Sequence, residues 1–145
     1  MSATPPPPAS DRATALRMRR VRRVGTGAEL IVRRWLREHA VVYRIAPSSL
    51  PGRPDLANRH RGFAIFVHGC FWHGHEGCKR FTRPRRNAEW WAAKVRANRE
   101  RDARKRAALE ALGLEVVEVW ECEALALERG GDVPAALAAL AGTRE

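Results

Sequence analysis

The segment between His68 and Cys78 constrains this chain more than any other part of it. Its eleven residues read His-Gly-Cys-Phe-Trp-His-Gly-His-Glu-Gly-Cys, and they hold three of the five histidines and two of the three cysteines. A polar, glycine-rich segment of this kind cannot pack against itself, whereas a metal ion bound by its side chains would order it. Cys70 and Cys78, with one histidine and the distant Cys122, supply the four donors that tetrahedral zinc prefers. The sequence therefore predicts a structural zinc site, the alternative being buried thiols and a surface histidine.

The spacing alone leaves open whether His73 or His75 completes this zinc site. Disulfides are a poor alternative, because the proline-rich residues 1–10 contain no apolar core of a secretory signal. No apolar run in the chain approaches the roughly 20 residues of a membrane span. We therefore expect a reduced, cytoplasmic setting without a membrane partner.

The charge distribution points to a polyanionic partner. The chain has 27 basic and 16 acidic side chains, a net charge of +11, and 24 of the basic residues are arginine. Residues 1–106 carry a net charge of +17 and residues 107–145 a net charge of −6. A GC-rich genome would also enrich arginine, but it would not segregate the charge along the chain. Nucleic acid is the commonest partner of such a basic surface.

The order of predicted elements indicates an α/β fold with a central mixed sheet flanked by helices. A capping box from Thr26 to Glu29 begins a helix that ends near His39. Strands are predicted at 41–45, 55–57, 63–67 and 115–120; a long helix capped by Asn87 ends near Leu112, and a short final helix is capped by Asp132. We expect a disordered tail over 1–11 and a single domain over 12–145, of which 12–25 is a basic arm.

Asp55 is a candidate magnesium ligand. The predicted hairpin brings its carboxylate beside the end of the strand at 63–67, close to His68. A carboxylate there could hold magnesium together with backbone carbonyls, waters and phosphate oxygens. A turn-forming or capping aspartate is the alternative, which the local sequence by itself favours.

Asp102 and Asn98 interrupt the apolar face of the long helix. That face is formed at three- and four-residue steps by Trp91, Val95, Leu109 and Leu112. Buried polar side chains need partners, so a polar cluster is expected opposite them. The alternative is that Asp102 pairs with Arg99 or Arg106 on its own helix.

Two aromatic pairs lie among basic residues. Phe71-Trp72 is inside the histidine-rich segment, and Trp90-Trp91 begins the long helix. Aromatic side chains in such surroundings are suited to base stacking or to insertion into a duplex. For Trp91, packing in the core is a strong alternative.

Four segments together resemble the very short patch repair (Vsr) DNA mismatch endonucleases. They are Gly-Arg-Pro-Asp at 52–55, His-Gly-Cys-Phe-Trp-His at 68–73, Asn-Arg-Glu-Arg-Asp at 98–102 and Val-Trp-Glu-Cys at 119–122. The resemblance extends from about Met18 to Cys122. It implies a restriction-endonuclease-like fold and an enzyme that nicks double-stranded DNA beside the T of a T:G mismatch, the lesion left when 5-methylcytosine deaminates.

The resemblance also implies roles for individual residues. Those at the catalytic centre are Asp55 and the backbone carbonyl of Val67 as magnesium ligands, His73 as general base, and the polar neighbours Glu29, His68 and Asp102. The implied zinc ligands are Cys70, His75, Cys78 and Cys122. The implied DNA contacts are Phe71, Trp72 and Trp91 as wedges, with Met18 approaching from the opposite groove. Glu29 cannot easily serve this centre and a capping box together, and we favour the active-site role.

The resulting hypothesis is that the protein is a monomeric mismatch endonuclease that is stabilised by zinc and depends on magnesium. It would act at the cytoplasmic nucleoid, and downstream repair proteins would then process the nick. One alternative is a restriction-type enzyme that dimerises and cuts a matched site. The other is a non-catalytic zinc module that binds DNA and needs neither Asp55 nor His73.

Overall fold

The computed structural model describes residues 26–79 and 85–142. The elements in this part of the chain are α1 Gly27–Glu38, β1 Arg44–Ile45, β2 Leu56–Asn58, β3 Phe63–His68, α2 Ala88–Ala111, β4 Glu115–Trp120, α3 Glu121–Glu128 and α4 Ala135–Gly142. The predicted tail and basic arm, with Met18, lie outside the described residues.

The four strands form one mixed sheet in the order β1-β2-β3-β4. β2 is antiparallel to β1 and β3, whereas β3 and β4 are parallel. The parallel register pairs Phe63 with Glu115 and His68 with Trp120, so β3 and β4 end together at one edge of the sheet. This arrangement confirms the predicted α/β fold with a mixed sheet.

Helices cover both faces of the sheet because the central strand is apolar on both sides. Phe63 and Ile65 of β3 belong to a core shared with α1, α3 and α4. Ala64 and Phe66 alternate with them and face the opposite way, in a smaller core that includes Leu109 of α2. The long helix α2 thus packs against one face of the sheet, and the other three described helices pack against the other face.

Several predicted boundaries are wrong. β1 has two residues where five were expected, and β2 begins at Leu56, so Asp55 directly precedes it. Asn87 adopts a left-handed conformation with φ of 57° and makes no side-chain cap to α2. The last helix begins at Ala135 rather than directly after Asp132.

Helix α3 was not predicted from the sequence. It starts immediately after β4, where no serine, threonine or aspartate occupies the usual capping position. The carboxylate of Glu123 instead accepts a hydrogen bond of 2.9 Å from the backbone N–H of Trp120. The consequence for the site is that Cys122 lies in the first turn of a helix rather than in a loop.

Within the described ranges, no helix has the length and apolar character needed to cross a bilayer.

Candidate active site and metal centre

The edge where β3 and β4 end brings Cys70 and Cys122 together. Each cysteine lies two residues beyond the paired residues His68 and Trp120. The backbone N–H of Cys122 donates to Cys70 Sγ at 3.4 Å. The parallel register is therefore what unites two thiols that lie far apart in the sequence.

Cys70, His75, Cys78 and Cys122 form a cluster whose ligand atoms all lie within 4.8 Å of one another. Cys122 Sγ is 3.5 Å from His75 Nδ1. Tetrahedral zinc, with Zn–S of about 2.3 Å and Zn–N of about 2.0 Å, places such a pair about 3.5 Å apart. The donor set and this distance fit a bound zinc ion, and His75 rather than His73 is the histidine in the cluster.

Cys70 and Cys122 are poorly ionised unless a cation accompanies them. Burial raises the pKa of Cys70 to about 12 and also raises that of Cys122. Thiolates, the form that binds metal, are therefore unfavourable at this place unless a positive ion accompanies them.

A second cluster contains His68, His73 and Asp102, whose ligand atoms also lie within 4.8 Å of one another. His73 Nδ1 is 2.5 Å from Asp102 Oδ2, and the His68 and His73 rings are 4.3 Å apart. Asp102 thus faces a histidine of the β3–α2 connection. The alternative pairing with arginines of its own helix is wrong: Arg99 pairs with Glu76, and Arg106 pairs with Glu110.

The two histidines differ in environment. Burial and the neighbouring charge of His73 lower the pKa of His68 to about 4, so this ring is neutral near pH 7. Burial by itself would raise the pKa of Asp102, but the hydrogen bond and charge of His73 outweigh it and lower that pKa. Asp102 is therefore a carboxylate that can orient the His73 ring.

Asp55 and Glu29 form a pair of neighbouring carboxyl groups. Asp55 Oδ2 accepts a hydrogen bond of 2.7 Å from the backbone N–H of Val67, so the hairpin places Asp55 where the sequence predicts. Burial and the adjacent Glu29 raise the pKa of Asp55 to about 6, although the Val67 hydrogen bond opposes this rise. A cation beside Asp55 would favour ionisation of its buried carboxyl group.

Glu29 serves this pair rather than a full capping box. Its backbone N–H donates to Thr26 Oγ1 at 3.2 Å, which is one half of the predicted box. Its side chain is only 2% exposed, and it forms an ion pair with Arg33 and contacts Asp55. The placement agrees with the active-site location expected for this residue.

Helix α2 holds the histidine-rich segment through backbone carbonyls. Asn98 Nδ2 donates to the carbonyl of Trp72 at 2.7 Å, and Arg99 donates to those of His73 and Gly74. Gly74 has φ of +65°, and a Cβ added there would lie 2.4 Å from Val95 Cγ1. The segment is therefore pressed against α2, which explains why the apolar face of this helix is interrupted by Asn98.

Phe71, Trp72 and Trp91 form an aromatic cluster beside His73. Their ring centroids are 5.3 to 5.6 Å apart, and each side chain is half-buried. Trp90 contacts Trp91 edge to face at 4.8 Å. The cluster packs internally yet keeps an accessible surface, so Trp91 is neither a purely buried core residue nor an isolated surface one.

Two further residues contribute to this region without having been singled out in the sequence. Trp120 stacks on His75 at 4.2 Å with the rings nearly parallel, and it lies 5.4 Å from His68. Lys105, one turn beyond Asp102 on α2, acts electrostatically on Asp55, His68 and Asp102. The sequence signal that could have indicated Trp120 is its position directly before Glu121 and Cys122. The signal for Lys105 is its helical spacing from Asp102.

Comparison with known proteins identifies the family of this chain. The profile of the family described as "DNA mismatch endonuclease Vsr" matches residues 10–80. The type II nicking enzyme V.XorIIP of Xanthomonas oryzae is 44% identical over 106 residues, which are 73% of this chain and 77% of that protein. The DNA mismatch endonuclease Vsr of Escherichia coli is 39% identical over 113 residues, covering 77% of this chain and 72% of that protein. The chain therefore belongs to the Vsr family of DNA mismatch endonucleases.

Proposed function

We propose that this protein is a magnesium-dependent endonuclease that nicks one strand of DNA beside the T of a T:G mismatch. The observation that carries the proposal is the His73–Asp102 contact of 2.5 Å at the same sheet edge as the carboxyl groups of Asp55 and Glu29. A base oriented by a carboxylate, next to a place for a cation, is what hydrolysis of a phosphodiester requires.

His73 is the proposed general base. With Asp102 ionised, the Nδ1–H of His73 donates to that carboxylate, and Nε2 is left free to accept a proton from water. The His73 side chain is 26% exposed, so water can reach it. His68 is buried and neutral, and its proposed role is to hydrogen-bond the water or the phosphate rather than to supply charge.

Asp55 and the backbone carbonyl of Val67 are the proposed magnesium ligands, with Glu29 close to them. When bound, the cation supplies positive charge to the phosphate and to the leaving oxygen. Ionisation of Asp55, which burial and Glu29 oppose, becomes favourable beside such an ion. Asp55 and the Val67 carbonyl would hold the ion, with Glu29 close by, and His73 would accept a proton from the water.

The zinc ion proposed at Cys70, His75, Cys78 and Cys122 is structural. These four residues would hold it, and a zinc ion there would tie the segment that carries His73 to the residues that follow β4. The half-buried cluster of Phe71, Trp72 and Trp91 is the proposed wedge into DNA. Insertion costs less at a T:G pair than in matched duplex, because the mismatch is more easily deformed.

The remaining proposals concern the whole chain. The protein acts as a monomer, with one domain over residues 12–145, and Met18 of the basic residues 12–25 is a proposed DNA contact that lies outside the described residues. The enzyme works on the cytoplasmic nucleoid, and downstream repair proteins act on the nick. The arginine excess of residues 1–106 supports electrostatic binding to the DNA backbone.

A nicking assay tests the proposal. Duplexes that differ only in a T:G or a T:A pair are incubated with magnesium and with wild type, Asp55→Ala or His73→Ala. We expect the wild type to nick only the T:G duplex, beside the T, and both variants to lose this activity. Cleavage of the T:A duplex at an equal rate would favour a restriction-type enzyme, and tight binding without any nicking would favour a non-catalytic DNA-binding module.

A further inference from the structure

Lys105 lies on the face of α2 that carries the residues of the site. Asn98, Asp102, Lys105 and Leu109 follow one another at steps of four, three and four residues, which places them on one side of a helix. Asn98 and Leu109 are buried, and Asp102 contacts His73. Lys105 is half-buried between them, so its side chain belongs to the surface that α2 turns toward the site.

The stem of Lys105 is held in place by the loop that leads to Asp55. A Cβ added to Gly52 would lie 2.7 Å from both Cβ and Cγ of Lys105, so the backbone at Gly52 approaches the base of this side chain closely. Gly52 also has φ of +75°, a conformation that disfavours any side chain there. The contact fixes Lys105 relative to Asp55, three residues further along the chain.

The ammonium group of Lys105 is left available by its neighbours. Lys105 takes part in none of the ion pairs among the residues that the structure describes. Two arginines of the same helix are already engaged, since Arg99 pairs with Glu76 and Arg106 pairs with Glu110 and Glu118. The charge of Lys105 nevertheless acts on the titration of Asp55, His68 and Asp102.

We propose that Lys105 contacts the phosphate that is cleaved and is a further catalytic residue of this enzyme. The inference rests on the proposed function, because it places the DNA backbone between Asp55 and His73. A lysine ammonium is a compact cation that binds phosphate oxygens well. With its stem held against Gly52, close to Asp55, and its helix neighbour Asp102 in contact with His73, Lys105 would position that phosphate and stabilise the charge that grows on its oxygens.

Binding to a neutralised phosphate tests this contact independently of turnover. Affinity is measured without added magnesium for two T:G duplexes, one unmodified and one with an uncharged methylphosphonate at the scissile position. The wild type is expected to lose about tenfold in affinity on neutralisation, the size of one charge-assisted contact. Lys105→Met keeps most of the stem against Gly52 but lacks the charge. Its affinity should fall less than about twofold on neutralisation of the phosphate, because the contact that the methylphosphonate would remove is already absent.

Arg104→Met is the matched control, because it removes the same charge from the adjacent, exposed position of α2. It should weaken binding to both duplexes equally and keep the full sensitivity to the methylphosphonate. Lys105→Gln provides a second neutral variant, and Lys105→Arg should restore the sensitivity; thermal unfolding checks that each variant is folded. In single-turnover nicking with magnesium, Lys105→Met should be at least about tenfold slower than Arg104→Met.

Two results would overturn the inference: a wild type that is indifferent to the methylphosphonate, or neutral Lys105 variants that remain as sensitive to it as the wild type. In either case, nicking of the T:G duplex by the wild type would leave the proposed function standing. Absence of that nicking, with Asp55→Ala indistinguishable from wild type, would instead remove the proposed function and the role of Lys105 with it.

Discussion

Asp102→Asn separates the proposed orientation of His73 from every other property of the site. Asparagine keeps the size of aspartate, but its amide can donate to His73 Nδ1, which moves the ring proton to Nε2, the atom that must accept one from water. The lost contact is short, at 2.5 Å, and the two side chains are 26% and 15% exposed. A hydrogen bond to a charged group contributes about 1.5–3 kcal/mol.

Since 1.36 kcal/mol corresponds to a factor of ten in rate, this loss predicts a decrease of about 10- to 160-fold in the chemical step. Single-turnover nicking of a T:G duplex by saturating enzyme measures that step, and the affinity for the duplex should change by less than about twofold. Glu100→Gln is the matched control, because it makes the same chemical change at an exposed position of the same helix. Rates for the two variants that agree within threefold would refute the proposed role of the His73–Asp102 pair.

Three further outcomes are expected. Cys122→Ser should lose the bound zinc and lower the melting temperature, as read by metal analysis and thermal unfolding; a full complement of zinc would show the ligand set to be misassigned. Gly74→Ala adds both a steric overlap and strain at positive φ, and should lower the free energy of unfolding, measured in urea, by about 2–4 kcal/mol. The control Gly77→Ala, at φ of +76° but with open space around it, should lower this free energy by about 1 kcal/mol. Equal effects of the two variants would contradict the packing of Gly74 against α2. Leu109→Ala should lower the free energy of unfolding by about 2–5 kcal/mol. The control Leu112→Ala, at a side chain that is 51% exposed, should change it by about 0.5 kcal/mol or less. A small effect at Leu109 would mean that α2 does not pack against the sheet.

The predictable parts of the fold have strong local signals. The apolar run at 63–67 is a strand buried on both faces, and the region from Asn87 to Leu112 contains the expected long helix. Helix α3 escaped prediction because Trp120, rather than a serine, threonine, asparagine or aspartate, occupies its capping position. The assignment of Leu112 to the apolar face of the long helix was wrong, because the helix ends at Ala111 and the side chain of Leu112 is exposed.

The candidate site was predictable as a set of residue types and far less as a set of contacts. The three cysteines and the histidine-rich segment indicated zinc from donor chemistry alone, but not which histidine joined them. Asp55 was expected near the end of β3 because the length of the hairpin decides which residues of its two strands lie opposite each other. The hydrogen bond from Val67 to Asp55 agrees with this expectation. The partner of Asp102 was left open, since helical spacing also allowed Arg99 and Arg106.

The sequence by itself determined the chemical inventory of this protein: soft donors for zinc, carboxylates and histidines for hydrolysis, aromatic side chains and a segregated basic charge. These are properties of residue types and short spacings, which do not depend on folding. Only the tertiary structure decided which of them meet. The parallel register of β3 and β4 joins Cys70 to Cys122, and the packing of α2 brings Asp102 to His73 and Lys105 to the site. Such contacts join segments far apart in the chain, and the burial of the two apolar faces of one sheet selects them.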